Sequence, residues 1–135
     1  MGKTHDLKMF TVDEANRLLP VLTQWLKDLQ TQRVSILSLE VEIDTLELVT
    51  EKDDSGASPA LNRKVEEYTR LVNRFYARVE EIHETGCLLK DLDLGLVDFY
   101  SLQNNRIVFL CWKLGEDSVR FWHDISTGYG SRQTL

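Results

Sequence analysis

The sequence lacks the residues and segments that mark secreted and membrane-spanning proteins. Its 135 residues include only two cysteines, Cys87 and Cys111. Two cysteines are too few for a disulfide scaffold, so we expect buried or half-buried thiols in a reducing compartment. No apolar run approaches the roughly 18 to 20 residues needed to cross a bilayer. Residues 1–10 are polar and contain no signal-peptide core.

The chain also lacks an excess of basic residues. It carries 16 Lys and Arg against 22 Asp and Glu, a formal net charge of −6. A protein that binds nucleic acid usually needs a positively charged surface to displace counterions. Binding to an anionic membrane also requires positive charge on the protein. We therefore predict a cytoplasmic protein that binds neither nucleic acid nor membrane.

The first part of the sequence predicts one long helix, from about residue 12 to residue 51. Thr11 and Glu14 have the spacing of a capping box. Apolar residues then follow at alternating steps of four and three, which is typical of a coiled-coil-like seam. The seam residues are Leu18, Leu22, Trp25, Leu29, Ile36, Leu39, Ile43 and Leu46. Additional apolar residues widen the stripe and indicate more than one neighbour; they are Leu19, Leu26, Leu37 and Val41.

A polar segment, 52–58, separates this helix from a second one. Ser58 and Pro59 suit the N-cap and the first helical position, and Gly86 suits the C-terminal end. The second seam contains Leu61, Val65, Tyr68, Val72, Phe75, Val79 and Ile82. The short connection predicts antiparallel neighbours, with acidic residues late in the first helix beside basic residues early in the second.

Beyond Gly86 the pattern changes to that of strands. Residues 96–102, 106–112 and 119–125 are rich in β-branched and aromatic side chains. Asn104-Asn105 and Gly115 suit the two turns. We predict that Asp98 pairs with Cys111 in the first hairpin and that Phe109 pairs with Phe121 in the second.

This register gives the strands one apolar face, which we expect to pack on the N-terminal part of helix one. Its members are Tyr100, Leu102, Ile107, Phe109, Cys111, Val119, Phe121 and Ile125. Trp112 and Trp122 fall on the other face, which must be covered as well.

The predicted fold class is therefore α+β. A long antiparallel two-helix, coiled-coil-like hairpin, residues 11–86, precedes a three-stranded antiparallel β-meander and tail, residues 87–135. We expect one domain spanning residues 1–135, because a chain of this length buries a core of its own.

Three stretches of the chain together resemble a known family. They are 10–20 (FTVDEANRLLP), 86–99 (GCLLKDLDLGLVDF) and 110–133, which contains LCWKLGE, WH and GYGSRQ. The chain is similar to the bacterial domain of unknown function 2203 over nearly its whole length. The resemblance implies a cytoplasmic bacterial protein and brings no known activity, cofactor or catalytic residue.

The densest group of polar residues lies in the C-terminal segment. We select Asp91, Asp98, His123 and Arg132 as candidate ligand-binding residues. Asp91 and Asp93 together with Asp98 have the chemistry of a hard-cation site such as one for Mg²⁺. The spacing of a calcium-binding loop is missing, so we favour the interpretation that these aspartates cap turns, and we predict no metal site.

A nucleophilic pair of Cys111 and His123 is also considered. In the predicted register Cys111 lies opposite Val119, and His123 lies four residues further along, about 13 Å away at the rise of a strand. That separation exceeds hydrogen-bond reach, so we predict that the two side chains do not meet.

Two functions remain open. The first is a non-enzymatic interaction module, a homodimer or a partner for another helical protein, because both helices carry heptad seams. The alternative is a small-ligand or metal-binding protein, or an enzyme, with its site between the meander and the N-terminal part of helix one. The sequence identifies no cofactor, substrate or pathway.

Overall fold

The computed structural model describes residues 7–50 and 58–135. Within these ranges two helices precede an antiparallel sheet. The helices are α1 (Val12–Val49) and α2 (Pro59–Glu84), and the strands are β1 (Leu88–Asp91), β2 (Leu96–Gln103), β3 (Arg106–Lys113), β4 (Phe121–Asp124) and β5 (Gln133–Thr134). A short 3₁₀ turn, Tyr129–Ser131, precedes β5. The polar connection predicted at 52–58 lies, except for Ser58, outside the described residues.

Helix α1 begins with the predicted capping box. The backbone N–H of Glu14 donates to Thr11 Oγ1 (3.1 Å), and the N–H of Thr11 donates to Glu14 Oε1 (2.9 Å). The bond from the Thr11 N–H stabilises the charged carboxylate and lowers the pKa of Glu14. Two orphan donors of the first turn are thereby satisfied.

Helix α2 also begins and ends as predicted. The backbone N–H of Leu61 donates to Ser58 Oγ (3.4 Å), so Ser58 is the N-cap, and Pro59 takes the first helical position. At the other end, Gly86 adopts φ +102° and its N–H donates to the carbonyl of His83. A left-handed residue at this position ends a helix.

The two helices run antiparallel within the unit formed by residues 28–50 and 58–78. Lys64 Nζ lies 2.9 Å from Glu42 Oε1, and Tyr68 Oη donates to Glu40 Oε2 (2.7 Å). Arg78 Nη1 lies 4.0 Å from Asp28 Oδ2. Residue numbers thus rise along α2 as those of their partners fall along α1, which is the antiparallel arrangement that the charge pattern predicted.

The sheet contains five strands in the order β1-β2-β3-β4-β5, so the prediction of three strands was wrong. The three central strands were identified, and the two edge strands were missed. Strand β1 has four residues and β5 has two, which is too short for an alternating pattern to emerge. Strand β1 is also irregular, because its register shifts between Leu89 and Asp91 and leaves Lys90 as the extra residue.

The register of the first hairpin is confirmed. Asp98 pairs with Cys111 and Gln103 with Arg106, and the connecting Asn104 and Asn105 have φ values of 51° and 63°. Positive φ at both central residues is the mark of the tight turn that suits a right-handed twisted hairpin.

The predicted register of the second hairpin was wrong by two residues. Cys111 pairs with Phe121, and Phe109 pairs with His123. Val119 does not pair with Cys111: its N–H donates to Asn16 Oδ1 of α1 (2.7 Å). Because α1 takes this donor, Val119 lies outside the strand and β4 begins at Phe121.

We expected the face that carries Tyr100, Phe109 and Cys111 to pack on the N-terminal part of helix one, but the segment that leads into α1 covers the other face, which was expected to be covered as well. The most completely buried face is the one that carries Val97, Phe99, Val108, Leu110 and Trp112. Phe10, just before α1, packs edge-on against Phe99 with ring centroids 5.2 Å apart and accepts a hydrogen bond from Ser101. On the opposite face Leu102 and Ile125 are exposed, and only the centre is buried.

The chain divides into two compact units. The first contains residues up to Lys27 and the segment Val79–Leu135, and the second contains residues 28–78. The N-terminal part of α1 therefore belongs to the same unit as the sheet. Neither described helix has a stretch apolar and long enough to cross a membrane.

Gly95 offers a test of the turn between β1 and β2. Its φ is +71°, and a Cβ built there would lie 2.5 Å from Leu114 Cβ. We expect Gly95→Ala to lower the free energy of unfolding by about 2 to 4 kcal/mol, because backbone strain and steric overlap act together. Urea titration would measure it.

Gly115→Ala is the matched control for the backbone term. Gly115 also has positive φ (+105°), but no atom lies within 4 Å of its built Cβ. Its substitution should cost only about 1 to 2 kcal/mol. Equal losses in the two variants would show that the contact with Leu114 does not constrain the turn.

Candidate functional site

A polar cluster fills the centre of the less covered sheet face. Its members, Asp98 on β2, Cys111 on β3 and His123 on β4, are 4%, 1% and 2% exposed. One ligand-type atom from each, a carboxylate oxygen, a thiol sulfur and an imidazole nitrogen, lies within 4.8 Å of the other two. Three such side chains in a sheet interior are unusual, because buried polar groups cost free energy unless they are partnered.

Strand register brings these side chains together. Residues opposite each other in an antiparallel pair share a face, so Asp98 and Cys111 lie side by side. His123 is opposite Phe109, its neighbour across the β3–β4 pair, and their rings lie 5.5 Å apart. From there the imidazole reaches diagonally across β3 to Asp98 on β2.

Both nitrogens of His123 have oxygen partners. Nδ1 lies 2.8 Å from the backbone oxygen of Asp124, and Nε2 lies 3.2 and 3.3 Å from the two carboxylate oxygens of Asp98. A backbone carbonyl only accepts, so Nδ1 carries a hydrogen and donates it. The contact between Nε2 and the carboxylate then also requires a proton, which the two residues share.

Cys111 is not an activated nucleophile in this environment. Burial, and then the neighbouring Asp98 carboxylate, raise the pKa of its thiol to about 12, while Arg132 acts in the opposite direction. A reactive cysteine needs a lowered pKa, because the thiolate is the nucleophile. The thiol of Cys111 therefore stays protonated at neutral pH in the metal-free protein.

Arg132 closes one side of the cluster. Its guanidinium donates to Glu116 Oε1 (3.1 Å) and lies 3.0 Å from Glu116 Oε2, a two-pronged ion pair. It also stacks over the rings of Phe121 (4.1 Å) and Tyr129 (4.4 Å). Glu116 thus neutralises the cation beside Cys111 and fixes its position.

Asp91 lies outside this cluster. Its Oδ1 accepts the backbone N–H of Leu94 (2.9 Å), so it caps the turn between β1 and β2. This is the turn-capping role that we favoured for the aspartates. Its neighbour Lys90 lies over the ring of Phe109, 4.8 Å from the centroid, and covers part of the face that holds the cluster.

Two of the four candidate residues, Asp98 and His123, are therefore in direct contact, and Arg132 lies nearby. The prediction that Cys111 and His123 stay apart is wrong. The residue that sequence reasoning missed is Cys111, because the two-residue error in register placed it far from His123. No local signal gives this register, because Val119 bonds to Asn16, which lies 103 residues earlier in the sequence.

A second candidate site is a stripe of exposed apolar residues on α1, which we call the outer stripe. It consists of Val34, Leu37, Val41 and Leu48, which are 68%, 50%, 65% and 86% exposed. Beside it, a groove of about 290 Å³ lies between the helices, with Ile36 and Leu37 on one wall and Val72 and Phe75 on the other. Exposed apolar surface of this kind commonly marks an interaction site.

Comparisons with known proteins give a family and no function. A family profile with the description "Uncharacterized conserved protein (DUF2203)" matches residues 8–135. No curated protein matched the chain, and no solved structure did.

The contact between Asp98 and His123 gives a stability prediction. Asp98→Ala leaves the His123 ring without its partner in a buried position, so we expect a loss of about 3 to 5 kcal/mol in unfolding free energy. Urea unfolding monitored by circular dichroism would measure this loss. The control is Arg106→Ala, which removes an exposed ion pair with Asp124 (3.1 Å) on the same sheet and should cost less than about 1 kcal/mol. Similar small losses in both variants would contradict the assignment.

The raised pKa of Cys111 gives a reactivity prediction. A pKa of about 12 lies well above the ordinary value of 9.0, so little of the thiol is ionised at pH 8. We expect iodoacetamide to leave Cys111 unmodified in the native, metal-free protein and to alkylate it rapidly in urea. Mass spectrometry of the digested protein would locate the label. Native alkylation at the rate seen in urea would refute the inference that the thiol is inert.

Proposed function

We propose that this chain, which belongs to the uncharacterised DUF2203 family, functions as a homodimeric interaction module that associates through the outer stripe of α1. One observation carries the proposal: the valine and leucine side chains of the outer stripe are at least half exposed in a single copy of the chain. The proposal concerns the unit formed by residues 28–50 and 58–78.

The outer stripe lies on the side of α1 opposite to its buried seam. Val34, Leu37 and Val41 each precede a seam residue by two positions, and those seam residues are Ile36, Leu39 and Ile43. An advance of two residues along an α-helix rotates the side-chain direction by about 200° around the helix axis. Helix α2 packs on the seam side and leaves the outer stripe exposed, although Leu37 also lines the groove between the two helices.

The spacing of the outer stripe suits a partner helix. Its members are separated by three, four and seven residues, the steps of a heptad. Burying such side chains is favourable by about 25 cal/mol per Å² of apolar surface. A second copy supplies a matching stripe without any further protein, and two-fold homodimers are the commonest oligomers.

Charge favours an antiparallel arrangement of the two copies of α1. One flank of the outer stripe carries Arg33 near its start and Glu40, Asp44 and Glu47 further along. In an antiparallel pair the same flanks face each other in reverse order, so Arg33 of one copy meets Asp44 or Glu47 of the other. A parallel pair places Glu42 against this flank and forms no pair of opposite charges there. The antiparallel pair also brings the two Glu40 side chains near each other, but it gains two copies of the Arg33 contact.

The first prediction is a change of mass in solution. We expect wild-type protein to run as a dimer in size exclusion with light scattering at about 100 µM, well above the micromolar dissociation constants of modest interfaces. Val41→Glu should give a monomer with unchanged helix content, because a charge in the stripe cannot be buried. Ser35→Glu is the control, since it adds the same charge at an exposed position of α1 away from the stripe.

The antiparallel order can be tested separately. Arg33→Glu should weaken the dimer, and adding Asp44→Lys to that variant should restore it by exchanging the two charges. A wild-type monomer, or dissociation by Ser35→Glu as strong as by Val41→Glu, would overturn the proposed function. A dimer that the double exchange fails to restore would overturn the antiparallel order.

A further inference from the structure

We infer that Asp98, Cys111 and His123 form a binding site for one divalent transition-metal ion of the zinc class. This inference is independent of self-association, because all three residues belong to the unit that contains the sheet. It rests on distances, on the orientation of the imidazole and on the balance of charge in the cluster.

The distances fit a tetrahedral ion. Ligand nitrogen and oxygen atoms at about 2.0 to 2.1 Å from zinc are separated by about 3.3 Å along a tetrahedral edge. His123 Nε2 lies 3.2 and 3.3 Å from the carboxylate oxygens of Asp98. Since the sulfur of Cys111 lies within 4.8 Å of both partners, only small shifts would bring all three to one ion.

The imidazole of His123 is already oriented as in a metal ligand. Metal-binding histidines usually donate their other ring N–H to a carbonyl or carboxylate, which fixes the tautomer and aims the free nitrogen. His123 Nδ1 donates to the backbone oxygen of Asp124 (2.8 Å). Nε2, which points toward Asp98, is therefore the nitrogen that would coordinate the ion, after the proton it shares with the carboxylate is released.

Charge balance makes an ion acceptable in this buried position. A carboxylate and a thiolate together carry two negative charges, which neutralise one divalent ion. Arg132, a cation beside Cys111, is itself neutralised by Glu116 at 3.0 Å. Lys90 is exposed, and its Nζ lies 4.8 Å from the centroid of the Phe109 ring.

The types of donor atom determine which metal ions the site would prefer. A set of one nitrogen, one oxygen and one sulfur suits zinc and cobalt, whereas magnesium and calcium prefer oxygen alone. Three protein ligands are the number found in zinc sites that keep a fourth position for water or substrate. A structural pair of Asp98 and His123 would need no third ligand-type side chain, so Cys111 is the residue that distinguishes the two interpretations.

Cobalt is the informative probe, because a cobalt–thiolate bond adds a near-ultraviolet charge-transfer band. We expect metal-free full-length protein to bind one Co²⁺ and to show this band, and to bind one Zn²⁺ in competition with it. Saturating Zn²⁺, at about 100 times its dissociation constant, should raise Tm by about 5 to 10 °C. Mg²⁺ at the same concentration should leave Tm unchanged.

Cys87 provides a matched control. Both cysteines are free and buried, but Cys87 contacts Thr85 Oγ1 and the carbonyl of Ile82 and belongs to no cluster of ligand atoms in residues 7–50 and 58–135. Cys111→Ser should abolish the band and weaken binding by about a hundredfold or more, and His123→Gln should weaken it similarly. Cys87→Ser should keep both the band and the affinity.

The wild-type titration decides the matter even if a variant fails to fold. Absence of one-to-one binding, or a cobalt spectrum without a thiolate band, would overturn the inference. Loss of the band in Cys87→Ser together with its retention in Cys111→Ser would also overturn it. A dimer that binds no metal would leave the proposed function intact and reject only this site.

Discussion

The backbone N–H of Val119 donates to the side chain of Asn16 at 2.7 Å, across 103 residues of sequence. By taking this donor away from the sheet, the contact holds the chain off β3 until Phe121. A two-residue slip keeps every side chain on its face but moves it along the strand by about 7 Å. That displacement places His123 beside Phe109 rather than Ile107, within reach of Asp98. The contact between α1 and the loop before β4 is thus consistent with the register that assembles the polar cluster.

Local chemistry explains which parts of this fold can be predicted from the sequence. The capping box at Thr11, the N-cap at Ser58 and the turn at Asn104-Asn105 each involve residues at most three positions apart, so their patterns are readable. The family could also be identified, because its motifs extend along most of the chain. The register of β4 could not be predicted in this way, because the segment before β4 bonds to Asn16, which is far away in sequence. The edge strands β1 and β5 are too short to show a period.

The same limit applied to the candidate site. Asp98 and His123 were selected because they belong to the densest group of polar residues, which is a local signal. Whether Cys111 joins Asp98 and His123 depends on the register between β3 and β4. The role of Asp91 depends on the turn that its own carboxylate caps. Composition identified most of the participants, whereas tertiary contacts decided which of them meet.

Two features of the molecule go against stability or solubility. A buried trio of Asp, Cys and His weakens a sheet interior that aliphatic side chains would fill more favourably. A row of exposed valine and leucine on α1 leaves apolar surface in water. Departures of this kind from the rules of packing tend to coincide with functional surfaces. They lie in different units of the chain, so each can be altered without touching the other.

The irregular β1 has a consequence for how copies of this protein can meet. An exposed sheet edge is a template on which another strand can add, and long flat edges promote open-ended aggregation. Here the β1 edge is interrupted by a bulge at Lys90, which also carries a positive charge. A straight incoming strand therefore cannot continue its hydrogen bonds along β1, and growth of the sheet into a fibre from this edge is disfavoured.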